Sequence, residues 1–384
     1  MKFDYYPAAA LGTDQLARQP ARQDQGLRVT RAQPALEPPP RRPQIKTGLT
    51  VLVPAYNEAA SIADTIHSLK AQSLPIDEII VIDDFSSDDT GDVARNLGVT
   101  VLRPPQNTGS KAGAQNFALG YVVTGFTMAI DADTVLARDA IEKLMSAMDD
   151  PAIAAASGFV LPRHVKTLWE RGRYIEYLFA FSFYKCIQDY YERPLISSGC
   201  FSVYRTDVLK ANGGWNRRTL AEDMDLTWSF YQSGHGVRFV PEAVCYPIEP
   251  TNYHFMSKQL RRWSHGFLQN VRLHWRGVLH EPFLRSTIMV AMWDASMASV
   301  VSLFILPLLV IFVSPIFLLG YLVDLPAVMV PVLLKAAQRR ETGRALASLP
   351  SFFVLRIVNG LFMLRALWAE FVLRRPLTVY EKGH

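Results

Sequence analysis

Apolar and polar positions divide the chain into three stretches. Residues 1 to about 47 show little apolar periodicity and are rich in Pro, Arg, Gln and Ala, ending in Pro38-Pro39-Pro40-Arg41-Arg42-Pro43. Such a segment cannot bury enough surface to offset its chain entropy, and it is expected to be a disordered arm. From residue 49 onward, short apolar runs alternate with helical spacing. Strands are predicted over 49–53, 78–82, 99–102 and 127–130, and helices over 61–72, about 90–97 and 114–121. This alternation predicts a parallel, doubly wound α/β sheet. Ligands of such sheets sit outside the carboxyl ends of the strands, where Tyr56, Asp83, Asp84, Asp131 and Asp133 all fall.

Beyond Arg285 the pattern becomes almost wholly apolar. Residues 295–323 carry no charge, and that is longer than the roughly 20 residues a bilayer core requires. With Pro307, Pro315, Asp324, Pro326 and Pro331 as interruptions, a hairpin of two spans is expected, at about 287–312 and 315–334; the alternative is one long tilted helix with a re-entrant piece. Arg272, Arg276 and Arg285 precede the pair and Lys335, Arg339 and Arg340 follow it, which places both ends in the cytoplasm. A third segment, about 349–373, carries Arg356, Arg365 and Glu370. It is read as interfacial rather than spanning, because arginines in mid-span are costly. The expected organisation is a 1–47 arm, a cytosolic domain over 48–280 and a membrane region over 281–384. The start has no charged-then-apolar leader, so export is not expected and the protein is placed in the cell (inner or plasma) membrane, multi-pass, with its domain cytoplasmic.

Composition adds exclusions. The net charge of +5 is modest for 384 residues, and the basic side chains gather at the N-terminus and around the apolar segments instead of lining one groove. Nucleic acid is disfavoured as a partner, while an anionic lipid surface or a phosphorylated substrate fits. Cys186, Cys200 and Cys245 have no CxxC spacing, so neither a disulfide framework nor a zinc site is indicated.

The candidate chemistry centres on Asp131-Ala132-Asp133. Side chains two apart in a strand leave on one face, so both carboxylates can reach one point, and hard oxygen donors suit Mg2+ or Mn2+. Asp-x-Asp alone is as readily a solvated turn. Acids at several strand ends of one sheet, however, repel one another unless a cation or hydrogen-bond donors are present. Gly109-Ser110-Lys111 lacks the GxxxxGK[ST] spacing, which excludes a P-loop.

Six motifs, in order over residues 49 to about 275, resemble an inverting family 2 glycosyltransferase. They are Val53-Pro54-Ala55-Tyr56-Asn57-Glu58, Ile82-Asp83-Asp84-Phe85-Ser86, Lys111-Ala112-Gly113-Ala114-Gln115-Asn116, Asp131-Ala132-Asp133 with Ala221-Glu222-Asp223, and Gln259-Leu260-Arg261-Arg262-Trp263. The last is similar to the QxxRW motif of the membrane synthases of cellulose, chitin, hyaluronan and poly-N-acetylglucosamine. The resemblance implies a GT-A (nucleotide-diphospho-sugar transferase) fold, a doubly wound mixed sheet followed by transmembrane or interfacial helices. It implies that Pro54, Tyr56, Glu58, Asp84, Lys111, Asp131 and Arg262 bind a UDP-sugar donor. Asp84 would hydrogen-bond the uracil, Tyr56 would lie against it, and Asp83 would cap the turn. Asp133 is the expected direct metal ligand, with Asp131 sharing the ion or holding the ribose.

An inverting transfer needs one carboxylate to take the proton of the acceptor hydroxyl. Asp223 is the expected base and Glu222 its neighbour; the competing reading makes both first-turn acids of a helix over 224–231. Ala221 stands where the family usually has threonine. Gly199, Cys200, Gln259 and Trp263 are the expected acceptor contacts, with Trp263 stacking on the sugar. The expected activity is transfer to a growing β-linked polysaccharide. Two or three apolar segments are few for one chain to line a polymer channel. An oligomer, a partner subunit, or single transfer to a lipid-linked acceptor are therefore the alternatives, and a silent glycan-binding scaffold is a more distant one.

Overall fold

In the computed structural model, residues 46–378 are described, apart from 279 and 324. The expected disordered arm lies, except for its last two residues, outside them. Eight strands form one sheet: β1 Lys46–Ala55, β2 Glu78–Asp83, β3 Thr100–Leu102, β4 Thr124–Ile130, β5 Val135–Leu136, β6 Ile153–Val160, β7 Phe201–Arg205 and β8 Gly236–Tyr246. Their order is β3-β2-β1-β4-β7-β6-β8-β5. Val51, Leu52 and Val53 of β1 are all fully buried, as a strand covered on both faces requires.

The parallel pairing expected from spacing holds for β3-β2-β1-β4 and again between β6 and β8. β7 runs antiparallel to both β4 and β6, so the sheet is mixed. The reason lies in the long excursion between β6 and β7, which returns the chain to the carboxyl end of β4 instead of its start. An antiparallel strand begins where its neighbour ends: Phe201 pairs with Ile130. The residues just before β7, Ser198-Gly199-Cys200, are thereby set beside those just after β4, Asp131-Ala132-Asp133.

Around the sheet lie α1 Ile62–Lys70, α2 Thr90–Asn96, α3 Lys111–Leu119, α4 Ala140–Ser146, α5 Leu168–Phe179, α6 Lys185–Tyr190, α7 Thr206–Ala211, α8 Glu222–Gln232 and α9 Tyr253–Val278. α3 starts three residues earlier than its apolar spacing predicts, because Ser110 caps it and its hydroxyl accepts the Gly113 N–H at 3.2 Å. A π-helical turn, Ala180–Tyr184, joins α5 to α6.

Three further helical runs are long and apolar enough to cross a membrane by length and composition: Pro282–Phe312, Pro315–Gln338 and Thr342–Val372. The third begins well before the expected residue 349, with Pro350 inside it. Packing explains this: at Gly172 of α5 the helix backbone comes so close that an added Cβ would stand 2.9 Å from the Ser351 carbonyl. Along its length this helix stays on the sheet domain. Glu341 at its start accepts from the Tyr174 hydroxyl at 2.8 Å, Asn359 donates to Glu176 at 3.1 Å, and Glu370 near its end binds His265 and Gln269, each at 2.8 Å. Val354, Ile357, Leu361, Trp368 and Val372 form an exposed apolar stripe, while Ala345, Phe352, Leu355 and Ala366 are buried.

Candidate active site

A cavity of about 1150 Å³ lies at the carboxyl ends of β1, β2 and β4, and all fourteen residues singled out from the sequence line it. Pro54, Tyr56 and Glu58 come from the end of β1 and its loop. Tyr56 is 43% exposed, whereas Glu58 is buried and accepts from the Ser61 hydroxyl at 2.6 Å. The two acids at the end of β2 lie in different surroundings. Asp83 is fully buried, accepts the Ser86 N–H at 2.9 Å and pairs with Arg103 at 2.6 Å, so it holds the turn. Asp84 lines the cavity and accepts from both the Thr108 amide, at 2.8 Å, and the Thr108 hydroxyl, at 2.9 Å. Those bonds fix its plane and leave lone pairs for a ligand.

One residue ties the two halves of the cavity together. The Gly199 N–H donates to Asp223 Oδ2 at 2.8 Å, and the Gly199 carbonyl accepts from Lys111 Nζ at 2.8 Å. Lys111 is also ion-paired with Asp131. Asp223, at the start of α8, is thus linked through residue 199 to the acids after β4, which is what the antiparallel entry of β7 makes possible.

Asp133 is buried, 6% exposed, and receives the Thr134 hydroxyl at 3.2 Å. Eight carboxylates line the cavity (Glu58, Asp84, Asp131, Asp133, Glu176, Glu222, Asp223 and Glu249) against three cations, Lys111, Lys185 and Arg262. Such an excess of acid disfavours an anionic diphosphate unless a cation joins it. Among the described residues no three His, Cys, Asp or Glu side chains close on one point. An oxygen-seeking ion held in part by Asp133 and Asp131 would need substrate oxygens and water to complete its shell.

Glu222, 7% exposed, has its pKa raised by burial and then by the adjacent Asp223, with Lys111 and Arg262 pulling the other way. The segment leading into this acid pair is clasped by α9. Asn270 donates to the Ala221 carbonyl at 3.0 Å, the Leu220 N–H donates to Gln269 at 3.0 Å, and His274 meets Asp225 at 2.6 Å. At Gly266 an added Cβ would stand 2.8 Å from the Ala221 Cβ. The small residues at 221 and 266 thus allow α9 to press directly on the loop that enters α8.

The QxxRW stretch lies on the same helix. Trp263 lines the cavity with the Arg173 guanidinium 4.5 Å from its ring centre. The Gln259 amide oxygen accepts from Arg173 at 2.7 Å, so this side chain is bound to protein as well as lining the cavity. Arg173 is fully buried and also meets Glu176 at 2.6 Å and Glu249 at 3.5 Å. Burial opposes its charge, yet Glu176, Tyr177 and Glu249 outweigh this and raise its pKa. Burial raises the Glu249 carboxyl, with Arg173 and the Tyr177 hydroxyl, at 2.8 Å, working against it.

Sequence reasoning passed over Arg173, Glu249 and Lys185. Arg173 and Glu176 formed a visible i,i+3 pair within an aromatic stripe, and Lys185 stands four residues after Phe181 on the same face, so both had a signal. Glu249, in a loop between Pro247 and Pro250, had none.

A mixed sheet of this order with its cavity at the strand ends is that of the GT-A glycosyltransferases. A solved structure of similar fold, the mannosyltransferase PcManGT from Pyrobaculum calidifontis in complex with GDP-Man and Mn2+, covers 86% of this chain and 89% of its own, at a TM-score of 0.58 and 20% identity. Residues 50–213 match the family model described as Glycosyl transferase family 2. Curated relatives include the poly-beta-1,6-N-acetyl-D-glucosamine synthases of Staphylococcus aureus (strain COL) and Staphylococcus epidermidis. Each is 27% identical over 224 residues, 57% of this chain and 54% of the relative. The chain thus spans about half the length of the curated relatives it matches.

Proposed function

We propose that this glycosyltransferase moves a hexose from a UDP-sugar to a glycan hydroxyl at a membrane surface, with inversion at the anomeric carbon. The observation that carries this reading is the Asp223–Gly199–Lys111–Asp131 chain, which joins a candidate base to a candidate diphosphate site through one residue. Asp223 takes the proton of the attacking hydroxyl, and its hydrogen bond from Gly199 keeps the carboxylate aimed. Lys111 and Arg262 hold the diphosphate by charge, and Asp84 and Tyr56 hold the base. Mg2+ or Mn2+, held by Asp133 with Asp131, supplies charge neutralisation at the leaving diphosphate. Trp263 offers a sugar a flat apolar face, steadied by Arg173. UDP-N-acetylglucosamine is the first donor to test and a β-linked glycan the product, because the matched relatives are named as synthases of such a polymer.

The membrane reading belongs to the same proposal. Pro282–Phe312 and Pro315–Gln338 form a spanning hairpin. Thr342–Val372 lies flat in the interface, because contacts at both its ends and its middle hold it on the catalytic domain while its other face stays apolar. Purified protein incubated with labelled UDP-sugars and Mn2+ tests the reading. Transfer from one of them is expected, and Asp223→Asn should abolish it without lowering UDP affinity.

A further inference from the structure

One wing of the cavity lining is apolar and takes no part in the donor contacts proposed above: Ile196, Phe267, Phe283, Val290, Ala291 and Met363, none of them polar. Phe283, Val290 and Ala291 belong to the helix Pro282–Phe312, whose composition suits a bilayer, and Val290 is 57% exposed, so this wing opens on that helix's outer side. Its two hydroxyls are already engaged. Ser286 donates to the Pro282 carbonyl at 2.9 Å and Thr287 to the Phe283 carbonyl at 3.0 Å. A polysaccharide laid here would face its hydroxyls to hydrocarbon and lose their hydration without replacement, whereas an alkyl or isoprenoid chain would be at home.

A second observation concerns a buried lysine in the same lining. Lys185, 6% exposed, lines the cavity with its ammonium 3.0 Å from the Ser198 hydroxyl and 3.5 Å from the Ser157 hydroxyl, over the rings of Phe181 and Phe239. No carboxylate stands within ion-pair distance of it among the described residues, so it is a buried cation held only by neutral groups. Ser198 precedes Gly199, the residue that bonds Asp223. A cation in this position suits an anionic group of the acceptor.

From these two features we propose that the acceptor is a sugar carried on a phosphate-bearing lipid, its hydroxyl at Asp223, its phosphate at Lys185 and its apolar chain in the wing beside Pro282–Phe312. This rests on the glycosyltransfer reading above and names its acceptor class. The hydroxyl oxygen forms a bond to the anomeric carbon as the bond from that carbon to the diphosphate oxygen breaks. UDP leaves with the electron pair, and Asp223 receives the proton.

The test uses the full chain in detergent with UDP-N-acetylglucosamine, or whichever UDP-sugar of a panel is turned over, and four acceptors. These are N-acetylglucosamine linked through diphosphate to a decyl tail, its phosphate-free decyl glycoside, its methyl glycoside, and a free N-acetylglucosamine oligosaccharide. KM is expected to fall about 100-fold from the methyl to the decyl glycoside. It should fall about a further tenfold when the diphosphate is added. Lys185→Met should remove the second gain, so that the diphosphate-linked acceptor and the decyl glycoside give the same KM within twofold, while Ala291→Leu should blunt the first. The chain-length series on the unaltered protein stands even if a variant fails to fold. Equal or better use of the free oligosaccharide, or indifference to the tail, overturns the lipid assignment; a diphosphate gain that survives Lys185→Met overturns the phosphate site. If no UDP-sugar is turned over with any acceptor, the donor reading falls and this proposal with it. If UDP is released but the tail-less glycan is preferred, only the proposal falls.

Discussion

Gly199→Ala offers a direct probe of how the candidate base is held. The residue lies outside the left-handed region, so the backbone tolerates alanine, and the loss of a glycine should if anything favour the fold slightly. The added Cβ would stand 2.9 Å from Asp223 Oδ2 and 3.3 Å from Asp223 Cβ. The carboxylate must therefore retreat by about half an ångström to reach ordinary contact, and the hydrogen bond from the residue 199 amide lengthens with it. A misplacement of about 1 Å can cost about 100-fold in rate, so a loss of about tenfold in kcat is expected for half that distance. The KM for the UDP-sugar should change little, since Asp84 and Tyr56 are untouched. UDP release measured on purified protein, with a thermal melt beside it, gives both numbers. A kcat within twofold of the parent would refute the claim that Gly199 sets Asp223 for catalysis. An equal loss accompanied by a large fall in Tm would assign the effect to folding instead.

Other substitutions probe the surrounding machinery. Arg173→Met strands Glu249 and Glu176 and frees Gln259, and it should cost about 3 kcal/mol, softened because Glu249 can take up a proton; a denaturation midpoint equal to the parent's would contradict it. Lys185 has its pKa pushed down to about 8 by burial, against the pull of Cys200, Asp223 and Cys245, from an ordinary value of 10.5. Between those values the unfolded chain holds the proton that the fold has lost, so the penalty is full below pH 8 and fades as pH rises to 10.5. Lys185→Met should accordingly stabilise the protein by about 3 kcal/mol at pH 7, with the gain vanishing above pH 10.5 in melts across pH; a pH-independent effect would contradict the burial argument. Asp133→Asn should lower Mn2+-stimulated transfer by about 100-fold or more, measured as rate against Mn2+ concentration, and undiminished stimulation would remove Asp133 from the metal site.

The strand-end lining of the cavity was legible because β1, β2 and β4 read as apolar runs, β1 ending at Pro54 and Tyr56 and the other two in acids. The strand ends follow at once, and with them Tyr56, Asp84, Asp131 and Asp133. The antiparallel entry of β7 was not legible, since strand direction after a long excursion is decided by tertiary pairing and leaves no periodicity. That pairing is what brings Gly199 to Asp223 and Lys111. The clasp of α9 on residues 219–225 depends on the smallness of Ala221 and Gly266, which hydropathy does not record. The helix Thr342–Val372 was found only in part, because Pro350 looks like a boundary until α5 is seen packing against it.

The central claim is that the strand-end acids and Asp223 together form a sugar-transfer site. Purified protein should be given labelled UDP-N-acetylglucosamine and its hexose relatives with and without Mn2+, in parallel with Asp223→Asn, and the product's anomeric configuration read by NMR. The account predicts Mn2+-stimulated transfer from one donor, β-configured from an α-linked sugar and lost in Asp223→Asn. Retained configuration, or transfer that survives in Asp223→Asn, would contradict it.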